Sequence, residues 1–299
     1  MKILVTGGHG FIGGHVVAAL TKAGHTPLVL GRRDVGPLRP AGGFVLADIR
    51  DYESVAESIS KIDRVIHLAA LVGTERSIRM PEAFIETNVL GSINVFDACR
   101  FFGKPCVYAS VGNSDDPNLY AISKSAAARL ALMYNKEHGT RIIVTRIFNA
   151  YGAGQFVGVN GRLVPSVLSA ALRDRPIHVF GSGQKFDDFV DVRDVAQLLV
   201  TAVESDDIDP LKSWDIGTGI RSSVAEVVET IRRLTGSSSE VVYVGHDRPG
   251  EGERRAAADP KSFVVPDYAF TPLEDGIRAL IPTEGGVRRA PIVATEVQA

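Results

Sequence analysis

Short apolar runs of strand length alternate with segments of helical periodicity through the first half of this chain. Strands are predicted at residues 2–6, 26–30, 44–46, 64–68, 107–109 and 141–148. Between them, apolar residues recur at helical spacing in 10–23, and further helices are predicted near 52–60, 81–101 and 119–137. This alternation predicts an α/β fold with a Rossmann-type, doubly wound parallel sheet.

The alternation ends near residue 150, and the sequence beyond it changes in character. Four glycines, at 152, 154, 158 and 161, interrupt the pattern, and the following elements are shorter and mixed. We therefore expect a core at residues 1–150 and a smaller C-terminal lobe at 151–282, some segments of which return to the core. Residues 283–299 lack periodicity and are expected to form a loosely held tail.

Composition and charge argue against several classes of protein. The 299 residues are 45% hydrophobic and 23% charged, as in ordinary soluble globules, and the formal charge of -2 gives no basic surface for nucleic acid. No stretch approaches the roughly 18 apolar residues of a membrane span, and the start of the chain lacks a leader pattern. We expect a cytoplasmic protein without nucleic-acid or membrane partners. No metal is expected, because Cys99 and Cys106 fit no metal spacing.

A glycine-rich turn lies where the first predicted strand meets the first predicted helix. Glycines allow a tight turn and let a pyrophosphate approach the backbone, while the helix N-terminus supplies N–H groups and a favourable dipole. The turn therefore predicts a dinucleotide site. Its cofactor-binding residues are expected to be Gly7, Gly10, Phe11, Ile12 and Gly13. A glycine turn without a ligand is the alternative.

The residues after the second strand bear on the choice of nicotinamide cofactor. An acidic residue in this place usually accepts hydrogen bonds from the ribose hydroxyls of NAD(H). This chain has Gly31, followed by Arg32 and Arg33, and a guanidinium can bind a 2′-phosphate through charge-assisted hydrogen bonds. The pattern favours NADP(H). The alternative is that both arginines are merely solvated in a turn and that the cofactor is NAD(H).

Tyr120 and Lys124 stand one helical turn apart at the start of the predicted helix 119–137. The i, i+4 spacing places phenol and ammonium on one face, where the cation is expected to lower a phenol pKa that is ordinarily about 10. The pair predicts proton transfer at a hydroxyl or carbonyl oxygen during hydride transfer. Alone this spacing is common on amphipathic helices, but here it follows a glycine turn and five strands.

One side of the same helix is rich in alanine. These residues occupy positions 121, 126, 127, 128 and 131. Their small side chains suit close packing, either against a helix inside the fold or against a second subunit. The sequence leaves both readings open, and the second predicts a homodimer through 119–137.

Several segments together give the chain a resemblance to the extended short-chain dehydrogenase/reductase family, which includes NAD(P)-dependent sugar-nucleotide epimerases, dehydratases and 4-ketoreductases. The resemblance covers nearly the whole chain. The matching segments are the glycine turn, Asp48-Ile49, His67-Leu68-Ala69-Ala70, Asn88, Tyr120 with Lys124, Arg146 to Gly152, Asp188 to Asp194, Ile216 to Gly219, Arg248 to Glu251, and Thr271 to Gly276.

The resemblance implies roles for further residues. Cofactor contacts are implied for Asp48, Ile49, Leu68, Ala69, Ala70 and Asn88. Asn149 is implied to lie near the substrate and Arg248 to hold the nucleotide of a sugar nucleotide. For these two, a capped turn and a surface loop are the respective alternatives. The smaller lobe is then expected to bind a nucleotide-linked sugar.

The chain departs from the family pattern at two places. Family members usually carry Ser-Ser or Ser-Thr after the fifth strand, the second hydroxyl bonding to the reacting oxygen, but this chain has Ser110-Val111. Either Ser110 or Ser114 supplies the hydroxyl, or Tyr120 acts alone and more slowly. Asp187 stands where an arginine commonly faces the substrate diphosphate, which weakens the nucleotide-sugar assignment.

The sequence leaves three functions open. An NADPH-dependent 4-ketoreductase of a nucleotide-linked 4-keto-6-deoxyhexose is favoured by Gly31, Arg32 and the short segment between Ser110 and Tyr120, which resembles that of some deoxysugar reductases. A sugar-nucleotide epimerase or dehydratase that retains NAD is the alternative. A non-catalytic cofactor-binding regulator ranks last, because Tyr120 and Lys124 are both present.

Overall fold

Seven parallel strands form the central sheet of the computed structural model, which describes residues 1–33, 40–157, 162–245 and 257–282. The strands are β1 Lys2–Thr6, β2 Thr26–Gly31, β3 Phe44–Leu46, β4 Arg64–His67, β5 Cys106–Val111, β6 Ile142–Ile147, β7 Asn149–Tyr151, β8 Ile177–Phe180, β9 Phe186–Asp187, β10 Phe189–Asp191, β11 Ser213–Ile216, β12 Ser222–Ser223 and β13 Val241–Val244. The helices are α1 Phe11–Lys22, α2 Tyr52–Ser60, α3 Thr74–Arg79, α4 Pro81–Ile85, α5 Gly91–Phe102, α6 Leu119–His138, α7 Leu163–Ala171, α8 Val192–Glu204, α9 Val224–Thr235 and α10 Leu273–Arg278.

The order of the strands in the central sheet locates its binding edge. The order is β11-β6-β5-β4-β1-β2-β3, and each of these pairings is parallel. The chain winds outwards from β1 in both directions, so the order reverses between β1 and β4. Ligands of doubly wound sheets bind beyond the carboxyl ends of the strands at such a point. The predicted Rossmann-type α/β fold is confirmed.

Apolar side chains cover both faces of this sheet. Ile3 and Val5 of β1 pack on one face in a cluster that includes residues of α1 and α8. Leu4 points to the opposite face, into a cluster that includes residues of α2, α5 and α6. Because both faces are buried, β1 is a continuous apolar run rather than an alternating one.

Residues beyond 150 serve two regions of the fold. β11 extends the central sheet by pairing with β6, and α8 packs against α1. By contrast, α7 and α9 pack against each other, and β8 pairs with β13. These elements surround a separate apolar cluster that includes Val167, Ile177 and Ile231.

The helix predicted at 81–101 is interrupted. A π-helical turn, Glu86–Leu90, separates α4 from α5, and the short helix α3 precedes them. A π turn holds one more residue than an α turn, and the five residues of this turn include neither proline nor glycine to mark it. Apolar periodicity therefore predicted one uninterrupted helix. Such turns often occur at functional sites.

The alanine-rich side of α6 packs inside the protein. Ala127, Ala128 and Ala131 belong to the cluster that covers the sheet, and Ala121 is also buried. The opposite side of the helix exposes Ile122. Of the two readings left open by the sequence, the structure supports contact within the fold for the buried alanines.

Two kinds of feature are absent from the described ranges. None of their helices has the length and apolar character that a membrane crossing requires. They also contain no group of three or more histidine, cysteine, aspartate or glutamate side chains placed to hold a metal ion.

Asp188, between β9 and β10, is hydrogen-bonded to two other segments of the chain. Its fully buried carboxylate accepts hydrogen bonds from the Thr218 amide at 2.9 Å, the Thr218 hydroxyl at 2.6 Å, the Gly219 amide at 2.9 Å and the Ala258 amide at 3.0 Å. A buried charge is tolerated when it is satisfied in this way. Asp188 therefore fixes the turn after β11 and the segment at Ala258 against β10.

Replacement of Asp188 by Asn is expected to destabilise the protein by about 3 kcal/mol, because an NH2 group would face donors that the carboxylate now satisfies. Urea unfolding would record a lower midpoint. Asp207→Asn, at an exposed position, is the matched control and should leave the midpoint unchanged. Equal midpoints for the two variants would contradict this role of Asp188.

Candidate active site

The glycine turn between β1 and α1 forms a cradle at the carboxyl end of the sheet. Gly7 has a φ of 70°, and a Cβ there would lie 2.8 Å from the Ala69 nitrogen. A Cβ on Gly13 would lie 2.2 Å from the Gly7 oxygen. Among the described residues no side chain caps α1 at Gly10, so its first amide groups suit an anion. This geometry fits the pyrophosphate site predicted at Gly7, Gly10, Phe11, Ile12 and Gly13.

The backbone after β4 borders the same cradle. The amides of Leu68 and Ala69 donate to the Thr6 hydroxyl at 3.2 and 3.1 Å. Leu68, Ala69 and Ala70 are all partly exposed. This segment is therefore both fixed in place and accessible to a ligand, as a cofactor contact requires.

Two residues predicted to contact the cofactor are buried. Asn88 accepts from the Leu71 amide at 2.8 Å and donates to the Leu71 carbonyl and the Ser123 hydroxyl, both at 3.0 Å. Ile49 is 3% exposed and packs against Gly91. The polar atoms of Asn88 are thus used within the protein, where they tie the segment after β4 to α6.

Two arginines follow β2, where the sequence predicted a site for a 2′-phosphate. Arg32 and Arg33 are exposed, and Arg32 Nη1 lies 3.9 Å from Asp48 Oδ2. Arg50 binds the same carboxylate more closely, with Nη2 3.0 Å from Oδ2. Burial favours a higher pKa for Asp48, but hydrogen bonds from the side chain and amide of Arg50, with the charges of Arg50 and Arg32, outweigh it and lower this pKa. Asp48 is therefore a paired, ionised carboxylate.

The side chain of Lys124, near the start of α6, is buried. It is 4% exposed, and its Nζ lies 4.3 Å from the centroid of the Tyr108 ring. The ring face attracts a cation, but loss of hydration dominates, and burial lowers the pKa of Lys124 to about 7. The side chain therefore changes its charge near neutral pH.

Tyr120 is the first tyrosine of α6 and is partly exposed, with its ring edge-on to Phe84 at 6.4 Å between centroids. Burial raises the pKa of Tyr120, and the charge of Arg162 opposes that rise. The sequence predicted that Lys124 lowers the pKa of Tyr120. In the structure, burial raises this pKa instead. A phenol that stays neutral at physiological pH is suited to donate a proton.

The two serines considered as substitutes for the missing hydroxyl have partners inside the protein. Ser110 Oγ donates to the Lys124 carbonyl at 3.3 Å, and Ser114 Oγ donates to Asp115 Oδ1 at 3.3 Å. Between them, Gly112 lies so close to Phe148 that a Cβ would come within 2.5 Å of the ring. Both hydroxyl protons are thus engaged by acceptors within the protein.

Asn149 retains an unused donor. Its Nδ2 is buried and has no hydrogen-bond partner among the residues that the structure describes. Leaving such a group unsatisfied is costly, so the amide is suited to an acceptor on a ligand, as predicted for a substrate contact. Arg248, the other predicted substrate contact, lies outside the described residues.

Two residues that act on the Tyr120–Lys124 pair were not found from the sequence. Tyr108 lies under the Lys124 ammonium, and its place two residues before Ser110, on the same face of β5, was a usable signal. Arg162, the residue before α7, acts electrostatically on Tyr120. Its local sequence gives no such indication, because the effect depends on how the chain folds back.

Comparison with known proteins agrees with this geometry. The model of the NAD dependent epimerase/dehydratase family matches residues 3–217. The chain belongs to this family. It is 31% identical over 278 residues to a putative UDP-glucose 4-epimerase of Methanocaldococcus jannaschii, a match that covers 84% of this chain and 87% of the relative.

Two further matches extend along most of the chain. A dTDP-glucose 4,6-dehydratase of Actinoplanes is 30% identical over 307 residues, which covers 92% of this chain and 94% of the relative. The crystal structure of a UDP-glucose 4-epimerase of Thermus thermophilus in complex with NAD has a TM-score of 0.81 at 28% identity, covering 93% and 97% of the two chains. The resemblance to extended short-chain dehydrogenases/reductases is confirmed, as is the prediction that the chain is an enzyme of that family.

The pKa of Lys124 makes stability depend on pH. Between the folded value of about 7 and the ordinary value of 10.5, the unfolded chain binds one more proton at this residue than the folded protein. The free energy of unfolding is therefore expected to rise with pH from neutrality, and Lys124→Met should remove this contribution. Urea unfolding from pH 7 to about pH 9, below the ordinary tyrosine range, measures both slopes.

Lys136→Met is the matched control, because that side chain is 78% exposed. It should retain the wild-type slope. A wild-type slope in Lys124→Met as well would contradict the assignment of this pH dependence to the buried amine.

Proposed function

We propose that the protein transfers hydride between a nicotinamide dinucleotide and a sugar carried on a nucleoside diphosphate. The observation that carries the proposal is the position of Tyr120 and buried Lys124 at the start of α6. This helix follows β5, which lies next to β4 in the sheet. The relatives named for UDP-glucose and dTDP-glucose, and the similar structure holding NAD, support these classes of substrate and cofactor.

The residues of the cradle would hold the cofactor, which supplies or accepts hydride at the sugar carbon when bound. The turn from Gly7 to Gly13 would bind the pyrophosphate, and the segment after β4 would border the nicotinamide half. Lys124 would orient the nicotinamide ribose. Tyr120 would donate its phenolic proton to the alkoxide oxygen during reduction, and would take a proton back during oxidation.

Within this class, our first candidate is an NADPH-dependent reductase of a 4-keto-6-deoxyhexose. Gly31 places no carboxylate at the end of β2, and Arg32 and Arg33 are exposed beside that end, where a 2′-phosphate would need cations. The short link between β5 and α6 also resembles that of such reductases.

A second candidate is an epimerase or dehydratase that retains NAD. It is favoured by the activities for which the relatives are named. The placement of Asp48 also favours it, because this carboxylate lies 3.9 Å from Arg32 and offsets part of the charge available to a 2′-phosphate.

A homodimer, also proposed from the sequence, would use the outer side of α6. Ile122 and Met133 are exposed there, and Met133 lines a shallow surface groove with Leu132, Lys136, Glu137 and Leu211. The buried alanines are not available to a second copy. A cytoplasmic location likewise remains a proposal.

Tyr120→Phe is expected to lower turnover of a nucleoside-diphosphate hexose or its 4-keto derivative about a hundredfold to ten-thousandfold, because the proton donor is lost. Nicotinamide absorbance follows the reaction, and cofactor affinity, measured by fluorescence, should remain. Tyr52→Phe, at an exposed position, is the matched control. Full activity in Tyr120→Phe would refute the proposed acid–base role.

The two candidate reactions differ in how the cofactor is held. A reductase purified without added cofactor should contain little nicotinamide and bind NADPH more tightly than NADH. Arg32→Ser should then reduce this preference about tenfold, through loss of one charge-assisted hydrogen bond. Arg79→Ser, with a side chain that is 73% exposed, should not. Stoichiometric tightly bound NAD in the purified protein would instead support the epimerase or dehydratase.

A further inference from the structure

His67 occupies the centre of a buried polar network outside the proton-transfer pair. It ends β4 directly opposite Thr6, the last residue of β1, and both are 0% exposed. Its Nδ1 lies 2.7 Å from Thr6 Oγ1, and its Nε2 lies 3.0 Å from Ser92 Oγ. Neither nitrogen can exchange its protein partner for water without opening the sheet edge.

The hydrogen bonds around Thr6 determine whether Nδ1 of His67 donates or accepts a hydrogen bond. A hydroxyl has one proton and two acceptor sites. Thr6 Oγ1 already accepts from the Ala69 amide at 3.1 Å, and at 3.2 Å it shares the Leu68 amide with the Thr6 carbonyl, which lies 3.1 Å from that nitrogen. Its remaining capacity is its proton, which must go to Nδ1. Nδ1 is therefore an acceptor and carries no hydrogen.

The contacts of Ser92 lead to the same tautomer from the other side of the ring. Ser92 Oγ donates its proton to the Asn88 carbonyl at 2.7 Å. It can then only accept from His67, so Nε2 carries the hydrogen. Burial, reinforced by the charge of Lys124, holds the pKa of His67 well below its usual range, which agrees with a neutral ring. Tyr108, whose ring centroid lies 5.4 Å from that of His67, is a second titratable neighbour.

The network reaches both ends of the segment that follows β4. On one side, Thr6 fixes the amides of Leu68 and Ala69, and Ala69 lies against Gly7 of the glycine turn. On the other side, the Asn88 side chain holds Leu71 and also donates to Ser123. Ser123 in turn donates to the Tyr120 carbonyl at 3.0 Å.

We propose that His67 is a positioning residue that, as a neutral Nε2–H imidazole, sets the backbone of residues 68–71 against the cofactor. The proposal rests on the function proposed above for its effect on affinity, whereas the tautomer follows from the protein alone. A protonated ring would place two donors where one donor and one acceptor are needed, and it would turn Thr6 away from Leu68 and Ala69.

The tautomer is tested by nitrogen NMR of protein labelled at its seven histidines. The signals lost in His67→Asn identify the ring, and they are expected to show a protonated Nε2 and a bare Nδ1. This pattern should persist from about pH 5 to about pH 9, on both sides of the ordinary histidine pKa of about 6.5. A hydrogen on Nδ1, or a ring that titrates within this range, would overturn the assignment.

The positioning role is tested by cofactor affinity, measured from nicotinamide fluorescence. His67→Phe removes both hydrogen bonds and is expected to weaken binding at least about tenfold, while His67→Asn, which can still accept from Thr6, should recover most of the loss. Thr6→Val and Thr6→Ser make the same comparison from the other partner, with only the serine retaining affinity. The two Thr6 variants also test the positioning role if His67→Phe fails to fold.

His178→Asn, on the exposed side of β8, is the control and should bind as the wild type does. Wild-type affinity in both His67→Phe and Thr6→Val would refute the positioning role. If the wild-type protein bound no dinucleotide at all, the proposed function would fail instead, while the NMR result would still report on the tautomer.

Discussion

The parallel pairing of β1 with β4 is the constraint on which the candidate site depends. In that register Thr6 lies opposite His67, and the two strand ends bring Gly7 against the backbone of Ala69. A side chain at position 7 would need space that the Ala69 backbone fills. The glycine turn and the segment after β4 are thus held against each other at one end of the sheet, and the pairing of the strands sets their distance.

Three acidic or basic side chains, two of them buried and one half-buried, are accommodated differently in this structure. Asp188 is surrounded by donors and serves as a fixed structural acceptor. Asp48 is held ionised chiefly by Arg50. Lys124, by contrast, faces an aromatic ring, which compensates its charge only in part. The satisfied carboxylates stabilise the frame, whereas the incompletely compensated amine is the group whose pKa lies near neutrality.

The parts of this arrangement that follow from local sequence were predictable. The glycine turn and the Tyr120–Lys124 spacing each lie within a few residues, and the apolar runs of buried strands indicated the sheet. Other features depend on contacts between distant segments. The π turn at Asn88, the engagement of Ser110 with the Lys124 carbonyl and the influence of Arg162 on Tyr120 are of this kind. The rise in the pKa of Tyr120 was missed for the same reason, since the degree of burial is a property of the whole fold.

The burial of the Lys124 amine against Tyr108 has a consequence for the thermodynamics of ligand binding. Because burial lowers its pKa to about 7, Lys124 holds its proton weakly near neutrality. A polyanion settling nearby favours the charged form, so its association draws protons from the solvent. The observed heat of association would then include the ionisation enthalpy of the buffer. Binding would also weaken in alkaline solution, even for a ligand that has no titrating group of its own.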